Sequence, residues 1–159
     1  MQAYTIDDPR DEGPLADLTS AGMSSLTGSC ACGTVQFEVE LPFITVGYCH
    51  CKRCQKRSGV PWSMNGMAPA GAFTLVAGAE AIRTWRPEGG HPKSFCEHCG
   101  GHVWSGTPGA EGIVGVRFGA LHGDPGIEPR WRQWMSSAAE WAPIPDDGLP
   151  RFAGKREID

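Results

Sequence analysis

A chain of 159 residues suggests one domain with room for a sizeable core. Its 22 glycines, 13 prolines and 7 cysteines, with few long periodic apolar runs, point to turns and short strands rather than helices. The net charge of −4 falls within residues 1–28, where Asp7, Asp8, Asp11, Glu12 and Asp17 face only Arg10; the neutral body argues against a nucleic-acid partner, and no apolar run is long enough to span a membrane.

The acidic N-terminus does not have the basic-then-apolar form of a secretory signal. Seven cysteines without an export signal indicate a reducing, cytoplasmic setting. There, clustered thiols more often bind metal or do chemistry than form disulfides.

In chain order, residues 1–27 form an acidic arm and residues 28–159 the folded body. The arm is expected to lie against the body or against a second copy, which would give a homo-oligomer. From Thr34 to Leu41 apolar and polar residues alternate strictly. Val35, Phe37, Val39 and Leu41 face one way, as in a half-buried strand. Further short strands are expected at 44–47, 62–67, 73–77, 81–85, 103–105, 113–118 and 131–135. Gly and Pro clusters separate them, as in an all-β sandwich or barrel. One short helix is expected from Lys52 to Ser58, stopped by Gly59. ALHGDPGIEPRW reads as a turn-rich loop.

The cysteines fall into three groups: C-A-C-G at Cys30 and Cys32, C-H-C-K-R-C at Cys49, Cys51 and Cys54, and C-E-H-C-G-G at Cys96 and Cys99. In C-x-x-C-G a tight turn aims backbone N–H groups at the sulfurs, and the glycine permits that turn. Cys96 and Cys99 are half of a tetrahedral site, and Cys30 and Cys32 are its natural other half. Four thiolates at about 2.3 Å would close the shell of a structural zinc. The remaining triplet has three thiols and no leftover cysteine. Three protein ligands with one open position is the pattern of catalytic zinc. The alternatives are a closed site with a His or Asp as fourth ligand, and an iron–sulfur cluster.

Three thiolates on Zn²⁺ sum to −1, so nearby cations stabilise such a site. Lys52, Arg53, Lys56 and Arg57 would neutralise it or capture a substrate carboxylate, or else form a solvated turn surface. His50, between two ligands, is expected to point away from the metal, and His98 to be exposed in its turn. His91, His102 and His122 read as ordinary loop or core residues, though the Gly-rich loop of His122 could border a cleft. Trp62, Trp104 and Phe118 either wall a pocket or, more commonly for aromatics, belong to the core.

GSCACGTVQFEVE, YCHCKRCQKRSGVPW, SFCEHCGGHVWS, GALHGDPGIEP, SSAAEWAP and DDGLPRF resemble successive blocks of the glutathione-dependent formaldehyde-activating enzyme family, which includes relatives of centromere protein V. The resemblance spans about Thr27 to Phe152, and the spacing of all seven cysteines makes it specific. It implies a mainly β, zinc-pinned antiparallel β-tent fold and two zinc ions. The structural ion would be held by Cys30, Cys32, Cys96 and Cys99, and the catalytic one by Cys49, Cys51 and Cys54. It further implies a carbon–sulfur lyase that joins glutathione or a similar thiol to formaldehyde or another small aldehyde. The chain departs from the family pattern at Arg132 and Gln133, where a histidine and an apolar residue are common, and at Trp62, where Phe is commoner. Two other classes stay open: a module that binds a thiol–aldehyde adduct or a protein partner without turnover, and a redox or metal sensor that loses zinc on oxidation.

Overall fold

The computed structural model describes residues 24–157. Most of the expected acidic arm, residues 1–23, lies outside the described residues.

Among the described residues ten strands and one α-helix follow in order: β1 (Ser25–Ser29), β2 (Gln36–Glu40), β3 (Thr45–Cys49), α1 (Lys52–Ser58), β4 (Ser63–Pro69), β5 (Phe73–Ala77), β6 (Ile82–Trp85), β7 (Lys93–Cys96), β8 (His102–Ser105), β9 (Ile113–Arg117) and β10 (Arg132–Gln133). They form a three-stranded sheet in the order β1-β2-β5 and a seven-stranded sheet in the order β10-β3-β4-β9-β8-β7-β6. Pairing is antiparallel except where β10 runs parallel to β3.

Period-two alternation builds the core. On β2, Phe37 and Val39 are buried while Gln36 and Glu40 are exposed. They meet Val46, Val103, Trp104, Val114 and Val116 of the large sheet. Phe73 of β5 stacks on Phe37 at 5.1 Å and tilts onto Trp104 at 4.9 Å, joining the two sheets. Trp104 is therefore a core residue, and Phe118 packs on Phe43 at 5.2 Å.

Two strands escaped the sequence reading. In β1 the alternation is carried only by Leu26 and by Gly28, which has no side chain to show it. Residues 25–27, assigned to the arm by sequence, thus belong to the small sheet. In β7, KSFC is four residues long and runs straight into the Cys96–Cys99 turn. The expected strand at 131–135 shrinks to two residues because Trp134 adopts a left-handed backbone, φ 60°, and leaves the ladder.

All three cysteine groups begin at strand ends. Cys30 and Cys32 occupy the β1–β2 turn, closed by Gly33 N–H donating to the Cys30 carbonyl at 2.9 Å. Cys96 and Cys99 occupy the β7–β8 turn, closed by Gly100 N–H donating to the Cys96 carbonyl at 2.8 Å. Cys49 ends β3, Cys51 caps α1, and Cys54 is the buried residue of that helix. Among the described residues no helix is long and apolar enough to cross a membrane.

Candidate metal centres

The structure gathers the cysteines into two separate groups, one of four and one of three. The Sγ atoms of Cys30, Cys32, Cys96 and Cys99 lie within 4.8 Å of one another, and so do those of Cys49, Cys51 and Cys54.

In the first group Cys30 and Cys32 sulfurs are 3.5 Å apart, and Cys32 and Cys96 sulfurs 3.8 Å. Four sulfurs about 2.3 Å from a tetrahedral zinc stand roughly 3.8 Å from one another. A disulfide would need about 2.05 Å, and all seven cysteines are free. Val35 N–H donates to Cys30 Sγ at 3.3 Å, the kind of contact that stabilises a thiolate. Burial raises the Cys30 thiol to about 11, whereas hydrogen bonding with Thr34 lowers the Cys32 thiol to about 6. Two cysteines arrive from each sheet system, so an ion here would staple the small sheet to the large one.

The triplet is built locally. Cys51 is the N-cap of α1, and its sulfur accepts from Cys54 N–H at 3.4 Å. That hydrogen bond folds Cys54 back beside Cys51 and Cys49. Gly59, with φ 71°, ends the helix and donates to the Gln55 carbonyl. Gln55 in turn donates to the His50 and Ser137 carbonyls at 2.5 and 2.8 Å, tying the helix to the chain on both sides. The crowded sulfurs share protons: hydrogen bonds with Cys51 and Cys54 push the Cys49 thiol up, and those with Cys49 and Cys51 pull the Cys54 thiol down. A soft divalent ion resolves that competition by holding all three as thiolates. Both groups therefore fit zinc by donor type and spacing.

His50 is fully buried and does not join the sulfurs. Arg132 Nη1 lies 3.3 Å from its Nε2, and its ring is 5.3 Å from that of Trp62. Arginine only donates, so Nε2 is the acceptor. Burial first, and the Arg132 charge second, keep this histidine neutral by lowering its pKa. Arg132, one of the departures from the family pattern, is itself buried. Its guanidinium lies 4.3 Å above the Tyr48 ring, and Nη2 donates to Asp147 at 2.6 Å. His98 is exposed, as expected from its turn. His122 is exposed and hydrogen-bonded to Ser29 Oγ of β1 at 3.0 Å.

The cations differ from those the sequence favoured. Lys52, Arg53 and Lys56 are exposed. Lys52 bonds Gln55, and Arg53 donates to the carbonyls of Glu88 and Gly89 at 2.7 and 3.4 Å. Of the four, only Arg57 turns inward, over the rings of Trp85 and Phe95 at 5.9 and 6.0 Å. A further charge that reaches Cys54 comes from β9. Arg117 is 9 % exposed, and its charge adds to the sulfur and Ser63 hydrogen bonds that lower the Cys54 thiol. It donates to Asn65 Oδ1, to Ser63 Oγ at 3.1 Å and to Ser105 Oγ at 3.3 Å. The one sequence signal for it was an arginine ending the apolar run IVGVR, opposite a strand still to be paired.

A family model described as "Glutathione-dependent formaldehyde-activating enzyme" matches residues 25–137. A crystal structure of a Rhodobacter sphaeroides protein, a structural-genomics target, is similar to this chain with a TM-score of 0.53. The two share 24 % identity over 79 % of this chain and 98 % of that one, a likeness of fold. The match covers most of the chain, including all seven cysteines, and the chain belongs to the glutathione-dependent formaldehyde-activating enzyme family.

Proposed function

We propose that the chain is a carbon–sulfur lyase of the formaldehyde-activating type, joining glutathione or a similar thiol to formaldehyde or a small aldehyde at the three-cysteine centre. The observation that carries this reading is the 4 + 3 division of the sulfurs in space. Cys30, Cys32, Cys96 and Cys99 would hold a structural zinc, and Cys49, Cys51 and Cys54 a second zinc with room for one external ligand.

A bound zinc supplies positive charge that lowers a thiol's pKa, so that a thiolate is available at neutral pH. The chain's residues do the rest. Helix α1 and the end of β3 fix the three sulfurs. Arg117, held by Asn65, Ser63 and Ser105, places a positive charge beside Cys54. The substrate sulfur bonds to the carbonyl carbon and the C=O π pair moves to oxygen. The thiol's proton ends there as the new hydroxyl. The reaction is redox-neutral, and its reverse is the lyase step.

Two measurements test this together. Metal analysis should give two zinc per chain, falling to one in Cys54→Ala with the fold kept. NMR of glutathione with ¹³C-formaldehyde should show the S-hydroxymethyl adduct forming faster than in buffer. Adduct formation at the buffer rate by fully zinc-loaded protein would overturn the enzyme reading.

A further inference from the structure

Strand register collects a set of cations on the outer face of the large sheet, the face opposite the core. Cys49 pairs with Ser63, and Asn65 with Arg117. Gly115, two residues before Arg117, pairs with Ser105, and Ser105 pairs with Lys93. After the irregularity at Ser94, Phe95 pairs with His102. Paired side chains share a face. Ser63, Asn65, Arg117, Ser105, Lys93, Phe95 and His102 therefore line one surface, with Cys49 at one end of it. Arg57 of α1 reaches down onto Phe95.

This cluster has more positive charge than the metal centre requires. Three thiolates with Zn²⁺ sum to −1, and an external thiolate makes −2. Arg57, Lys93 and Arg117 supply three positive charges, leaving +1. His102 adds none at neutral pH, because burial first, then the neighbouring arginines, lower it to about 4. Among the described residues none of the three cations has a carboxylate partner. Among the described residues, both terminal nitrogens of Arg57 and Nε of Arg117 are buried without a hydrogen-bond partner. Buried guanidinium groups left unbonded are costly unless a ligand satisfies them.

We infer that Arg57, Lys93 and Arg117 form a carboxylate subsite beside the three-cysteine centre, so that the reacting thiol or the reacting carbonyl compound carries a carboxylate. One carboxylate brings the charge count to zero and gives the orphaned Arg57 nitrogens their acceptors, in the forked geometry arginine favours. This rests on the lyase reading for the identity of the reacting groups, but binding at the subsite does not depend on turnover. The bond changes are those already given; the carboxylate is a spectator that positions.

The test uses the full chain with its zinc measured. Matched pairs separate the two sources of the carboxylate: thioglycolate against 2-mercaptoethanol, and glyoxylate against acetaldehyde with 2-mercaptoethanol as the thiol. Calorimetric titration reads thiol binding, and NMR reads adduct formation. At least one carboxylate compound should be favoured about tenfold or more over its neutral match. Arg57→Met and Lys93→Met should each collapse that ratio, and Arg57→Lys should restore part of it, with zinc content unchanged. These two side chains are half-buried, so the variants fold even where Arg117→Met does not. No preference in either pair, or a preference untouched by both variants, overturns the subsite. Tight, Arg57-dependent thioglycolate binding without any adduct leaves the subsite standing and removes the lyase reading. Turnover of the neutral pairs without a carboxylate preference does the reverse.

Discussion

Arg132 shows how a residue outside both sulfur groups shapes one of them. It holds His50 from one side and Asp147 from the other, and His50 lies between two of the three clustered cysteines. Its guanidinium lowers the Asp147 carboxyl below the usual carboxylate range. A carboxyl with a depressed folded pKa contributes stability that is present above its unfolded value, near 4, and lost as pH falls through the folded one. Asp147→Asn should therefore unfold at a lower temperature than wild type at pH 7, and the gap should close as the pH is taken from about 4 towards 2. A gap constant over that range would mean the ion pair contributes nothing. Gly47 sets a steric limit close by. A Cβ there would lie 2.3 Å from the Trp131 ring, whose Nε1 donates to Thr45 Oγ1 at 2.8 Å in the buried layer. Gly47→Ala should cost about 1–3 kcal/mol in denaturant unfolding, the range for overpacking. At this scale the cysteines were legible because each motif is local in sequence. Arg117 and Lys93 were not, because only the pairing of β4, β9, β8 and β7 brings them to one surface. Arg57 was visible as a charge, but its inward turn was not.

Helix α1 is the element on which the three-sulfur centre depends, and its bounds were readable in full. Cys51 at its N-cap and Gly59 at its C-terminus bracket seven residues, too short to be stable alone. Gly59 is the clean place to test it. Its φ is 71°, and a Cβ there would meet nothing within 4 Å. Any loss in Gly59→Ala is then conformational, about 1 kcal/mol. If the helix end helps fix Cys54, the same variant should hold its second zinc more weakly in competition with a chromophoric chelator. A stability loss with both zinc affinities unchanged would show that Cys51 and the Gln55 bonds suffice to hold the helix. Among the strands, β2 and β5 were legible from alternation, since each presents one face to the core. β1 was hidden by Gly28, β7 by its four-residue length, and β10 was expected too long because the left-handed backbone at Trp134 ends it early.

At the scale of the whole molecule, a metal held by each of the two sulfur groups would cross-link different things. Cys49, Cys51 and Cys54 span six positions and tie β3 to the helix that follows it. Cys30 and Cys32 stand more than sixty residues before Cys96 and Cys99, and an ion held by the four would join a turn of the small sheet to a hairpin of the large one. Closing a long loop removes more conformational freedom from the unfolded chain than closing a short one. A metal that binds only the folded arrangement adds its binding free energy to folding. Cys99→Ser should therefore lower Tm by more than Cys51→Ser, both being single-ligand losses in zinc-replete buffer. With about 2–4 °C per kcal/mol for a chain of this size, a loss of several kcal/mol at the four-sulfur group would appear as 10 °C or more. A strong chelator should move the wild type at least as far. Equal effects of the two serine variants would show that the four sulfurs do not staple the sheets. A larger effect of Cys51→Ser would exchange the structural and reactive roles assigned to the two groups. Phe73 also bridges the sheets through Phe37 and Trp104. That apolar contact remains when the ion is gone, so the chelated chain should keep strand signal in circular dichroism while losing cooperativity on heating.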